Sequence, residues 1–404
     1  MATFNPFPAV RPVKNKVCLV PSYSYDRYTQ LDINRMIKYN PFTFLNIIAK
    51  PYVRHLEPAK RHKAIKKLYN KFKKKRVFIQ DSMPFYYVVR ITDEDGTVFT
   101  GITGVASTDD YEKGIIKKHE NTLTNRIKLF TDYLYDVRIN AEPVLLAHKP
   151  SPELNEIYAG IQAEIPEYEF ARPDGKVFEV WPVSSANLIR DIKKTFLQIP
   201  SFYIADGHHR VESSYQLSKR LQEENPYHTG LEAYNYFMAF LIDYTQLKLF
   251  PYNRGVKKLN TNNPNEFLDQ IKKKFSIKPL KRFIEPQRGE FILYLCKNYY
   301  KIGIPSEFIQ NGKTEVEVIN EEIFNKILSI TDVRTSKLLT YCDGKTNIKC
   351  LTRKINGGEC KAGFFMPALT FDEIKSKADR SETLPPKSSY IEPKLLSGLF
   401  VYEI

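Results

Sequence analysis

The stretch Phe202-Tyr203-Ile204-Ala205-Asp206-Gly207-His208-His209-Arg210 constrains this chain more than any other. Four consecutive apolar residues supply strand material and run into Asp-Gly, a strong turn signal. Past the turn, Val211-Glu212-Ser213-Ser214-Tyr215-Gln216-Leu217 predicts a helix with Val211, Tyr215 and Leu217 on its buried side. A strand, a sharp turn and a helix thus gather a carboxylate, two imidazoles and a guanidinium at one junction. The start of a helix presents unpaired backbone N–H groups and a partial positive charge, which suits an anion such as phosphate. Gly207 would let the backbone approach that ligand closely, or take a positive φ. The plainer alternative is a helix capped by Asp206 with two surface histidines. Against it, two of the chain's seven histidines stand side by side here, flanked by Asp206 and Arg210. The junction is the leading candidate site.

A second dense stretch is Ser107 to Arg126, and within it Lys118-His119-Glu120-Asn121-Thr122. On a helix these neighbours would diverge by about 100° each, whereas in a strand Lys118 and Glu120 share a face. From Thr122 the pattern turns helical, with Leu123, Ile127, Phe130 and Leu134 in register, Thr122 as N-cap and Arg126 one turn in. Another cluster of charge therefore stands at the mouth of a helix. Taken alone, it reads equally well as a capped helix with surface charges.

Charge raises a separate question. The net charge of +15 is concentrated in Lys60-Arg61-His62-Lys63, Lys66-Lys67, Lys71 and Lys73-Lys74-Lys75-Arg76. Ile65, Leu68, Tyr69 and Phe72 fall among them at helical spacing, which predicts an amphipathic helix with a basic outer face. Such a face attracts nucleic acid or anionic lipid, but no base-reading motif accompanies it, and a solvated surface with weak polyanion attraction is the preferred reading. No run approaches the roughly 18 apolar residues of a membrane span. The N-terminal residues lack the basic-then-apolar order of a secretory signal. The five cysteines, Cys18, Cys296, Cys342, Cys350 and Cys360, are odd in number and form no CxxC pair. A disulfide framework or structural zinc site is therefore not expected, and a reducing cytoplasm fits.

Along the chain, short strands and helices alternate without an internal repeat. Val17 to Val20 and Pro41 to Ile48 are expected as strands, and Leu31 to Tyr39 as a helix. Phe85 to Thr92 pairs with Val98 to Val105 across Asp93-Glu94-Asp95-Gly96 as a hairpin. Further strands are expected at Tyr234 to Ile242, Gly289 to Cys296 and Val316 to Ile319. The proline-rich Leu384 to Gly398 leads back into an apolar strand, so it returns to the body of the protein. The expected organisation is α+β with mixed sheets, in three sections: 1–149, 150–259 and 260–404.

Known catalytic signatures are absent: no GxSxG, HExxH, Walker A loop, GxGxxG or kinase set occurs. Adjacent His208 and His209 point apart and do not ligate one ion together. A magnesium ion held by Asp206 with nucleotide phosphates is easier to accommodate, because that ion needs only one or two carboxylates. Phosphoryl transfer requires charge neutralisation, positioning and a base near the acceptor. Asp206, His208, His209, Arg210, Lys118, His119, Glu120 and Arg126 would supply these parts if the two dense stretches converge.

Ala205-Asp206-Gly207-His208-His209-Arg210, Lys118-His119-Glu120-Asn121-Thr122, Pro251-Tyr252-Asn253-Arg254 and Pro386-Lys387-Ser388-Ser389-Tyr390 through Pro393-Lys394 to Ser397-Gly398-Leu399 together resemble the bacterial and archaeal family called domain of unknown function 1015. The resemblance spans nearly the whole chain. It departs at Ser24-Tyr25-Asp26, where Pro-Tyr-Asp is expected, and at Asn46, where histidine is expected. A fainter similarity links the Asp-Gly-His-His-Arg turn to free serine kinases of the ParB/sulfiredoxin superfamily, which phosphorylate L-serine with a nucleotide. The resemblance implies a ParB/sulfiredoxin-like strand–turn–helix core in the central section. It also implies roles for Asp206, Gly207, His208, His209 and Arg210 in a nucleotide and catalytic site.

The expected function is that of a cytoplasmic phosphotransferase or phosphatase acting on serine, phosphoserine or a similar small metabolite, with Mg²⁺ and ATP or ADP. Asp206 (also the metal ligand), His208, His209, His119 and Glu120 are the expected catalytic groups. Gly207, Arg210, Lys118, Arg126, Arg254 and Lys387 are the expected phosphate or nucleotide contacts. The rival is a non-catalytic ParB-like protein that binds nucleic acid or nucleotide.

Overall fold

The computed structural model describes residues 2–346 and 348–404. The chain divides into two compact units: residues up to Lys118, Thr122–Leu247 and Pro393–Ile404 form unit 1, and His119–Asn121 with Lys248–Glu392 form unit 2.

Unit 1 is built on a nine-stranded mixed sheet. In spatial order its strands are Ile116–Lys117, Phe202–Asp206, Val144–His148, Tyr236–Asp243, Val98–Ser107, Tyr86–Thr92, Val177–Val183 and Tyr168–Ala171, with Phe4–Asn5 added along Val98–Ser107. The hairpin expected at Asp93–Gly96 is present, with Thr92 opposite Val98 and Gly96 at φ +81°. Two contacts in this sheet are parallel, Phe202–Asp206 on Ile116–Lys117 and Tyr236–Asp243 on Val144–His148. Alternate strand residues Tyr86, Val88, Leu146, Phe202 and Ile204 enter one core with Trp181, Phe196 and Phe237. A second core uses the inner face of the basic helix Pro58–Lys74, whose Ile65, Leu68, Tyr69 and Phe72 pack with Phe44, Phe78 and Val401. Arg11 lies buried between Asp81 and Glu167, with two 2.8 Å bonds to Asp81. It is a structural ion pair.

Unit 2 is an antiparallel sheet in the order Ser276–Leu280, Asn298–Gly303, Glu290–Leu295, Ala362–Phe365, Lys248–Val256 and Leu339–Asp343, with Ser389–Glu392 also on Lys248–Val256. Phe267, Ile271, Phe291, Leu293, Phe324 and Phe364 form the main core of this unit. The architecture is α+β with mixed and antiparallel sheets.

Four sequence expectations are corrected. Pro41 to Ile48 is not a strand: a turn precedes the helix Leu45–Ile48, which buries Leu45, Asn46 and Ile47. A short apolar run fits a buried helix as well as a strand. Val17 to Val20 follows the 3-10 turn Lys14–Lys16 and forms no strand. Val316 to Ile319 is helical because Thr314 and Glu317 form a capping box that starts Glu315–Val318. Finally, Cys342 and Cys350 are joined as a disulfide, while Cys18, Cys296 and Cys360 are free. No helix among the described residues is long and apolar enough to cross a membrane.

Candidate functional site

The motif strand Phe202–Asp206 carries an irregularity: Ile204 pairs with Leu146 and Asp206 with Leu145, so the register slips by one residue around Ala205. A bulge of this kind re-aims the next side chain. Gly207 follows at φ +104° and ψ +27°, a conformation that favours glycine, and the helix His208–Glu224 begins at once. The N-cap residue is Gly207, which makes no side-chain cap, so the cap expected from Asp206 falls on a glycine. The Arg210 and Val211 N–H groups bond the Gly207 carbonyl at 2.8 and 3.1 Å, which closes the first turn. Val211, Leu217 and Leu221 anchor the inner face, while Tyr215, expected inside, is half-buried and donates its hydroxyl to Glu112.

Asp206 reaches two cations instead. Lys394 Nζ lies 3.3 Å and Arg210 Nη2 3.4 Å from its Oδ2. Burial raises the Asp206 carboxyl pKa, yet Lys394, Arg210 and His208 outweigh it and hold the group well below the usual carboxylate range. With 43% of its side chain exposed, Asp206 is an ionised carboxylate accessible to a ligand. Arg210 also donates to the Pro143 carbonyl and sits 3.0 Å from Glu142 Oε1. Arg210 thus joins two carboxylates, which commits it more to holding Asp206 than to meeting phosphate. Glu142 in turn accepts from Ser397 Oγ at 3.2 Å.

The histidines divide. His209 Nε2 lies 3.0 Å from the Leu123 backbone nitrogen and accepts its N–H. That leaves the proton of a neutral ring on Nδ1. Leu123, not Thr122, is the N-cap residue of Thr124–Val137, so this contact ties the motif to the neighbouring helix start. Arg126 is exposed on the first turn of that helix. Its buried face is Thr131, Leu134 and Val137, rotated from the expected register that included Phe130. His208 is buried at the head of the motif helix, close enough to Asp206 to favour its charged form. Lys118 is exposed, with Nζ 5.6 Å from the centre of the Tyr111 ring, and Tyr111 donates to Glu212 at 2.5 Å. Lys117, just before it, lies opposite Tyr203 in the parallel pair.

His119 and Glu120 belong to unit 2. There the His119 carbonyl accepts from the Leu384 N–H at 2.7 Å, and Glu120 forms a parallel bridge with Leu384. Arg254 and Lys387 meet in the same unit. The fully buried Arg254 donates to the carbonyls of Tyr252 at 3.0 Å and Lys387 at 3.1 Å. Burial lowers its pKa to about 10, with Tyr341 acting in the opposite direction. Lys387 takes φ +58°, and its Nζ stands 5.0 Å from the Tyr252 ring centre. Arg254 therefore holds a turn in place and is not exposed to a ligand.

The family described as protein of unknown function (DUF1015) matches residues 4–330. The chain belongs to this family. A comparison with curated protein sequences finds no match. Among solved structures, this DUF1015 protein is similar to a free serine kinase in complex with AMP, at 17% identity over 73% of this chain and 91% of the other, TM-score 0.35. It is also similar to SbnI with a C-terminal truncation from Staphylococcus aureus, at 10% identity over 74% and 87%, TM-score 0.39. A conserved hypothetical protein from Pyrococcus furiosus aligns at 15% identity over 74% and 94%, TM-score 0.35. These TM-scores all lie below 0.5. Lys394, Glu142, Ser397 and Glu212 are site neighbours to which the sequence assigned no site role, although Lys394 and Ser397 stand in the closing motif. For Lys394 and Ser397 the signal was the proline-rich segment's return to the body; for Glu142 and Glu212 no sequence signal separated them from other acids.

Proposed function

We propose that this protein is a phosphate-handling enzyme. In this reading it is a nucleotide-dependent phosphotransferase, or a phosphatase, acting on serine, phosphoserine or a similar small metabolite. The observation that carries the reading is the glycine-led start of the seventeen-residue motif helix, placed directly after an ionised, accessible Asp206. Phosphate oxygens are drawn to the start of this helix, with the helix dipole behind them. A ParB/sulfiredoxin-like strand–turn–helix is the part of the fold that would do this work.

The roles follow from chemistry. Asp206 orients the acceptor hydroxyl. His208 serves as acid or base, while His209, whose Nε2 is occupied, positions the motif against the next helix. Lys394 and Lys118 neutralise phosphate, and Arg210 holds Asp206 in place. His119, Glu120, Arg126 and Lys387 remain proposed contributors. Asp206, an ionised and accessible carboxylate, would hold a magnesium ion carried on nucleotide phosphates. Bound there, the ion would supply charge neutralisation on ATP or ADP.

The rival, a nucleic-acid-binding protein without catalysis, draws on the basic helix Pro58–Lys74. That helix is partly engaged at home: Lys73 pairs with Glu403 at 2.7 Å, and Lys66 donates to the Asp136 carbonyl at 3.2 Å. The enzyme reading is preferred.

Phosphorus NMR tests it. The protein is supplied with Mg²⁺, ATP or ADP and L-serine, and in a separate sample with O-phosphoserine. New phosphoserine, or phosphate released from it, is expected, and Asp206→Asn should abolish the signal while the far-UV spectrum is kept. An unimpaired Asp206→Asn protein, or no phosphorus change in any mixture, would overturn the proposal.

A further inference from the structure

The next step rests on the phosphate reading above and concerns the other end of the substrate. In unit 1, Ser397, Glu142, Arg210, Asp206 and Lys394 stand in a row of contacts of 3.2, 3.0, 3.4 and 3.3 Å. The charges alternate and cancel. Such a row is no cradle for a purely anionic ligand, because two carboxylates would face it. It matches a ligand that carries both signs.

The Glu142 end has its own construction. Ser22 and Ser397 form an antiparallel bridge with reciprocal N–H···O contacts of 3.1 and 2.7 Å. Residues directly opposite in such a bridge project on the same face. The Ser22 side chain therefore projects on the same face as that of Ser397, which already donates to Glu142 Oε2. Ser22 is completely buried, and its hydroxyl has no hydrogen-bond partner among the described residues. An unmet buried hydroxyl is costly unless something satisfies it. Ser22 Oγ, Ser397 Oγ and Glu142 Oε2 are three oxygen acceptors, the number that matches the three N–H donors of a primary ammonium.

We propose that this corner binds the α-ammonium of a small amino-acid substrate whose hydroxyl or phosphoryl group is handled at Asp206 and the start of the motif helix. Glu142 is then the specificity-determining residue. The segment Pro393–Gly398 builds the corner: it brings Lys394 to Asp206 and Ser397 to Glu142, and the Gly398 N–H bonds the Ala141 carbonyl at 2.9 Å. This strap lies beyond residue 330, where the family match ends.

Isothermal titration with L-serine, with 3-hydroxypropionate (the same molecule without its amine) and separately with AMP tests the assignment. The wild-type protein should bind L-serine at least about tenfold more tightly than 3-hydroxypropionate. Glu142→Gln should bring the two within about twofold while keeping AMP binding, and Ser397→Ala should fall between. Should Glu142→Gln fail to fold, Ser397→Ala carries the test. Equal binding of the two acids by the wild type, or an undiminished preference in a folded variant, overturns the corner. Binding of AMP without L-serine overturns the corner alone. Binding of neither overturns the phosphate reading and the corner with it.

Discussion

Gly207 is where sequence and function meet at the scale of one residue. At φ +104° an alanine would carry left-handed strain, and its Cβ would stand 3.0 Å from Arg210 Nε. The guanidinium can move aside, so backbone strain dominates the cost, on the order of 1–2 kcal/mol. Moving Arg210 also disturbs its hold on Asp206. Gly207→Ala should therefore lower stability in urea by about that amount and also weaken AMP binding in titration. Gly114→Ala is the control: φ there is +70°, and nothing lies within 4 Å of an added Cβ. It should show a similar stability loss with AMP binding intact. The Asp-Gly turn was legible because its signal is local. Its neighbour Arg210 was legible with it, but the other partner of Asp206 was not, since Lys394 is 188 positions away and only tertiary folding brings it there.

At the scale of elements, legibility followed the length and regularity of the pattern. The hairpin at Asp93–Gly96 and the basic helix were readable, the first from turn chemistry and the second from four apolar residues at helical spacing. Leu45–Ile48 and Glu315–Val318 were not, because a few apolar residues in a row carry no distinct period, and at Glu315–Val318 the helix is set by the Thr314–Glu317 capping box. The basic helix also permits a test of the nucleic-acid rival. Lys63, Lys67 and Lys71 are exposed on it, and any attraction to polyanions should be counterion-driven. Duplex DNA should be retained weakly at low salt and released by about 0.15 M salt, where screening reaches about 8 Å. Changing all three lysines to glutamine should abolish the low-salt retention and leave AMP binding unchanged. Tight, sequence-selective binding at physiological salt would favour the rival instead.

At the scale of the whole molecule, unit 1 is assembled from three segments of chain and unit 2 from two. That interleaving cannot be read from a linear division, because it depends on which distant strands share a sheet. The disulfide is a second feature of this scale. Cysteines without a CxxC spacing gave no pairing signal, yet Leu339–Asp343 and Lys349–Asn356 bring Cys342 and Cys350, eight positions apart, together within unit 2. Closing a loop of this length removes chain entropy worth at most about 2.5 kcal/mol from the unfolded state. Reductant should therefore lower the stability of unit 2 by up to that amount. The loss should be read as faster amide exchange in Leu339–Asp343 and Lys349–Asn356. A protein with serine at both positions should match the reduced wild type and ignore reductant. Equal exchange with and without reductant would show that the covalent link contributes nothing, and that the sheet contacts of Leu339–Asp343 with Lys248–Val256 alone hold this edge of unit 2.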